Sequence, residues 1–108
     1  MSIKKIYITY PERDMFEDEK ARRQEKLLEL AGEYLHEPVE AIKKYDAELQ
    51  HSELEQLGES LKQMSKADYV LISGDWRSER RNKIEAVCAI EYMKPILMED
   101  GNRLEEVT

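Results

Sequence analysis

The sequence predicts an α/β protein, a three-layer sandwich in which a parallel sheet of four to five strands, ordered 2-1-3-4, lies between helices. Three observations carry this. Ile3–Thr9 alternates apolar and polar residues and is rich in β-branched types, the pattern of a strand. Residues 67–98 hold two short apolar runs, Tyr69–Ile72 and the run that starts at Pro95, separated by a loop and a polar helical stretch. That reads as strand, loop, helix, strand, one parallel crossover unit. The segments between have helical periodicity, giving β-α-β-α-α-β-α-β, an alternation that places helices over a parallel sheet through right-handed crossovers.

Taken in order, proline stops the first strand within Tyr10–Pro11–Glu12–Arg13–Asp14, and Asp14 is placed to cap the first helix. That helix is expected over Met15–Ala31, with Phe16, Leu27, Leu30 and Ala31 near helical spacing and Gly32 as its stop. Tyr34–Glu37 is read as a short second strand. Pro38 then opens a helix that carries Val39, Ile42, Tyr45 and Leu49 on one face. Ser52 with Glu55 three residues on is a capping box for the next helix, whose apolar stripe is Leu54, Leu57, Leu61 and Met64, with Gly58 a local weakness. A strand at Asp68–Ser73, a helix near Ser78–Tyr92 and a strand at Pro95–Met98 complete the order, and Gly101–Thr108 is read as a short tail.

Composition bounds the function. The 108 residues fit a single domain spanning 1–108. A net charge of −7 argues against binding a nucleic-acid polymer, which needs surplus Lys and Arg on one face. No apolar run approaches the length of a membrane span, and the first residues lack a signal-peptide pattern. The single Cys88 cannot form an internal disulfide, which fits a reducing, cytoplasmic setting, and one cysteine excludes a cysteine-based metal site. His36 and His51 lack ligand spacing, and no P-loop, GxGxxG or Ser/His/Asp set is present, so neither a metal nor a cofactor is expected.

In open sheets of this kind, ligands sit beyond the carboxyl ends of the strands where the order reverses. With strands one and three adjacent, Tyr10, Arg13, Gly74, Asp75, Trp76 and Glu85 are expected to converge on one crevice. Trp76 is either a core edge or a wall on which a nucleobase stacks. Arg77, Arg80, Arg81 and Lys83 form a basic cluster. It is read as a solvated first helical turn or as a small anion pocket beside the helix N-terminus. Arg13 and Arg81 are the candidate phosphate contacts. Glu79, six residues before Glu85, does not share a helical face with it and contributes only from the preceding loop.

The segments IYITY, ADYVLISGDW, the helical Glu85 nine residues after Trp76, and KPIL near the end resemble the nucleoside 2-deoxyribosyltransferase-like superfamily, in its small bacterial and phage branch. The resemblance runs along the whole chain in order and is most specific between residues 66 and 97. It implies a flavodoxin/Rossmann-like sheet and a small-molecule nucleoside or nucleotide as ligand. Glu85 would attack the anomeric carbon and break the N-glycosidic bond, and Asp75 or Glu79 would serve as the second acid. Tyr7 matches the family's tyrosine on the first strand, and Tyr7, Tyr10, Arg13, Gly74, Trp76 and Arg81 would contact substrate. A homodimer is also implied. Two positions depart from the pattern: Thr9 or Tyr10 stands where the family has a glycine, and Arg81 replaces the glycine four residues before the glutamate. Such glycines let a sugar or phosphate approach the backbone. Two further expectations therefore stand beside an N-glycosidase or transferase: a nucleotide-binding module without turnover, and a homo-oligomeric interaction protein.

Overall fold

The computed structural model describes residues 3–42, 52–101 and 103–107. Five strands form one sheet in the order β2-β1-β3-β4-β5: β1 (Lys4–Thr9), β2 (Val39–Ala41), β3 (Tyr69–Ile72), β4 (Ile96–Asp100) and β5 (Arg103–Val107). The first four pair in parallel, and β5 runs antiparallel to β4. Helix α1 (Glu17–Leu35) packs Leu27 and Ala31 on Ile6, Ile8, Tyr10, Leu71 and Leu97. Helices α2 (Glu53–Ser65) and α3 (Arg80–Glu91) pack on the alternate residues Tyr7, Val70, Ile72 and Ile96, which point the other way. The architecture is a three-layer α/β sandwich, as the alternation of elements requires. Among the described residues no helix is long and apolar enough to cross a membrane.

The register sets the site. β1 lies between β2 and β3, with Tyr7 beside Val70 and Thr9 beside Ile72. The chain leaves β1 through α1 on one face and reaches β3 through α2 on the other, so the sheet reverses direction at β1 and β3. Asp68 fixes the start of this pairing. Its carboxylate accepts from Lys5 N at 2.8 Å while its own N–H donates to Lys5 O.

Several local expectations are corrected. Gly32 does not stop α1. The helix continues to Leu35 and closes at His36, whose left-handed backbone (φ 56°) directs its N–H to Gly32 O. Pro38, two residues beyond, prevents continuation and marks an end, not the start of a helix. Tyr34 and Leu35 are consequently helical, and the second strand is Val39–Ala41, drawn into the ladder by Lys4 N to Pro38 O and Ile42 N to Ile6 O. Tyr45 and Leu49, expected on a helical face with Val39, lie outside the described residues. Asp14 does not cap α1, because its own φ of 66° places it in a turn two residues upstream of the N-cap, Phe16. Three acidic residues, Glu17, Asp18 and Glu19, stabilise that uncapped end through the helix dipole. The segment after Gly101 is no tail. Gly101 turns with φ 68°, and Arg103–Val107 pairs back along β4, placing Leu104 against the α1 layer. The capping box holds, with Glu55 N donating to Ser52 Oγ at 3.2 Å.

Candidate functional site

Helix α3 presents a polar face to the sheet. Asn82, Glu85, Ala86 and Ala89, spaced i, i+3, i+4 and i+7, are its buried residues. Glu85 is fully buried. Its carboxylate accepts a hydrogen bond from the Tyr7 hydroxyl and another from Thr9 Oγ1 at 3.1 Å. Tyr7 and Thr9 are two apart on β1 and so share the face that meets α3. Asn82 completes the set: its Nδ2 donates to Thr9 Oγ1 at 2.7 Å and to Tyr10 O at 2.9 Å. Burial, then the neighbouring Glu85 carboxylate, raises the Tyr7 phenol far above its ordinary range, with the positive charge of Arg81 pulling it back. Tyr7 is therefore a fixed proton donor to Glu85. From α2, Ser60 is fully buried in the same layer, and its hydroxyl lowers the Tyr7 phenol in opposition to burial.

Beside this network a groove of about 1040 Å³ opens between the first turns of α2 and α3. Glu53, Leu54 and Leu57 form one wall. Ser78, Glu79, Arg80, Arg81 and Ile84 form the other, and Arg13 comes from the loop after β1. Three guanidinium groups face two carboxylates, so the groove is locally cationic in a chain of net charge −7. Glu79 precedes α3 in extended conformation, outside the helix as its participation requires, and its Oε1 accepts from Arg13 N at 2.9 Å. Arg81, half-buried, donates from Nη2 to Gln56 Oε1 at 2.9 Å and so ties α3 to α2. It lines the groove one helical turn before Glu85.

The expected convergence is thus divided. Arg13, Glu79 and Arg81 line the groove, while Tyr7 and Glu85 meet beneath it. Tyr10 does neither. Three residues after Tyr7 it points to the opposite face, is 4 % exposed, and donates its hydroxyl to Lys20 O on α1. Burial raises its phenol to about 12. Trp76 begins a short 3-10 turn (Trp76–Ser78), packs half-buried against the core, and carries the Arg77 guanidinium 4.6 Å over its ring. Asp75 is exposed beside it, holding the turn through its carbonyl, which accepts from Ser78 N and Oγ. Gly74 has a backbone role. Its φ of 70° disfavours a side chain, and a Cβ would meet Pro11 Cδ at 3.3 Å. Thr9, Asn82 and Gln56 were not anticipated. Thr9 at i+2 from Tyr7 on a strand and Asn82 at i−3 from Glu85 on a helix were legible by parity once those two were singled out, whereas Gln56 depends on how α2 packs against α3. Among the described residues no three His, Cys, Asp or Glu side chains cluster to hold a metal ion.

Sheet order and crossovers place this chain in the class of doubly wound α/β proteins. No family model matches the chain and no curated protein matches it.

Proposed function

We propose that this protein binds a nucleoside or nucleotide in the groove and cleaves its N-glycosidic bond, with Glu85 as nucleophile, in a cytoplasmic setting. The observation that supports this most is the Glu85 carboxylate, buried yet given two hydroxyl donors, one turn from a groove lined by Arg13, Arg80 and Arg81. A Glu85 oxygen would form an ester bond to the anomeric carbon as the bond to the base nitrogen breaks. The departing base would take a proton from Glu79, the acid that lines the groove. Asp75 is a less direct donor, since it stands outside the groove lining. Water or an acceptor hydroxyl would then displace the carboxylate, returning its proton to that acid. The arginines would hold a phosphate. Arg81 must release Gln56 for the sugar to reach Glu85.

A second reading is a binding module of the same fold, without turnover. The complete burial of Glu85 favours it, because a carboxylate with no exposed surface offers no path of attack on a sugar carbon in this conformation. Purified protein incubated with nucleosides, deoxynucleoside monophosphates and NAD, followed by chromatography and thermal-shift measurement, separates the two. Free base from wild type and none from Glu85→Ala is the expected result. A thermal shift without base establishes the binding module, and the absence of both overturns both readings.

A further inference from the structure

Asn82 is only 3 % exposed, inside the first turn of α3. An amide is a poor choice for such a place, because it gives up water and competes for backbone partners. It does not cap the helix either. Its Nδ2 crosses to β1, where it donates to Tyr10 O at 2.9 Å and to Thr9 Oγ1 at 2.7 Å. Asn82 belongs to none of the segments that carry the family resemblance.

These contacts fix the direction of the protons on this side of Glu85. A carbonyl oxygen only accepts, so Tyr10 O requires the nitrogen of the Asn82 amide, not its oxygen, to face β1. The same nitrogen therefore donates to Thr9 Oγ1. A threonine hydroxyl carries one hydrogen, and with its oxygen accepting from Asn82 that hydrogen goes to Glu85 Oε1, 3.1 Å away. Tyr7 donates to the other carboxylate oxygen. The four side chains make a closed frame. Tyr7 and Thr9 stand two apart on a strand, roughly 7 Å, and Asn82 and Glu85 three apart on a helix, about 5–6 Å between Cβ atoms, so the two edges match.

We propose that Asn82 is a positioning residue for Glu85. It acts through Thr9, whose hydroxyl it aims at Oε1, and so holds the carboxylate in one orientation with both oxygens fixed. Its bearing on catalysis rests on the reaction proposed above; its hold on Glu85 does not.

Carbon-13 NMR of the Glu85 carboxyl, identified by its loss in Glu85→Gln, tests that hold without any substrate, with circular dichroism to confirm folding. Asn82→Ala and Thr9→Val should each shift the resonance. The double variant should shift it no further than Thr9→Val alone, since Asn82 then has no hydroxyl to aim. Thr9→Ser, which keeps the hydroxyl, should restore most of what Thr9→Val loses, and it carries the test by itself if Asn82→Ala does not fold. In base release from deoxynucleoside monophosphates, Asn82→Ala should lower kcat about tenfold and leave KM within about twofold, because Asn82 does not line the groove. A resonance unmoved by Asn82→Ala, shifts that add in the double variant, or a Thr9→Ser variant no better than Thr9→Val overturns the proposal. A loss confined to KM overturns its bearing on catalysis. A wild type that releases no base removes the proposed reaction alone, and the resonance then decides the positioning.

Discussion

The two layers covering this sheet are built differently. On the α1 side, Ile6, Ile8, Leu27, Leu71 and Leu97 form a continuous apolar contact, and the polar triad Arg23, Ser73 and Glu99 sits at its rim, with Arg23 Nη2 2.8 Å from Glu99 Oε2. On the α3 side, Thr9, Ser60, Asn82 and Glu85 are buried among Tyr7, Val70 and Ile72, and α3 contributes only Ala86 and Ala89 as fully buried apolar residues. Apolar burial stabilises in proportion to area, whereas a buried hydrogen-bonded carboxylate returns little net stability for its desolvation. The first layer holds the fold together. The second holds a carboxylate in one position at some cost, the pattern expected where geometry matters more than stability.

Substitutions can break or sharpen that contrast. Leu27→Ala should be the most damaging, losing about 3 kcal/mol by removing a fully buried side chain from the apolar layer, as measured by denaturant unfolding. Tyr7→Phe should cost about 1 kcal/mol, since it takes one donor from Glu85 and leaves volume nearly unchanged. If it costs as much as Leu27→Ala, the two layers do not differ in the way described. The third effect is alkaline and is absent at neutral pH. Tyr10 has a raised phenol pKa in the folded state, so its contribution to stability is whole below about pH 10 and declines as pH rises toward 12. Unfolding free energies measured across that window should fall more steeply for wild type than for Tyr10→Phe.

Much of the fold is legible in the sequence itself. Strand alternation in Ile3–Thr9, the capping box at Ser52 and the strand-helix-strand run after Asp68 each specify a local conformation, and their alternation leaves few topologies once crossovers are right-handed. Even β5 had a local signal, the Asp100–Gly101 dipeptide ahead of Leu104 and Val107. The end of α1 was less legible, because Gly32, His36 and Pro38 are all plausible stops and only the docking of Val39 beside Lys4 selects among them. Parity could have told Tyr7 from Tyr10, since three residues along a strand reverse the face. Sequence determined the types of β1, α1, α2, β3, α3 and β4, the 2-1-3-4 order of the parallel strands and the presence of a carboxylate on α3, because these depend on periodicity and on short-range chemistry. The tertiary structure alone decided that Glu85 faces inward to Tyr7 and Thr9, that Arg81 bonds Gln56, and that Val87 and Ile90 face outward. The rotation of a helix with apolar residues on two sides is set by which side fits the sheet, and small Ala86 and Ala89 allow the closer approach.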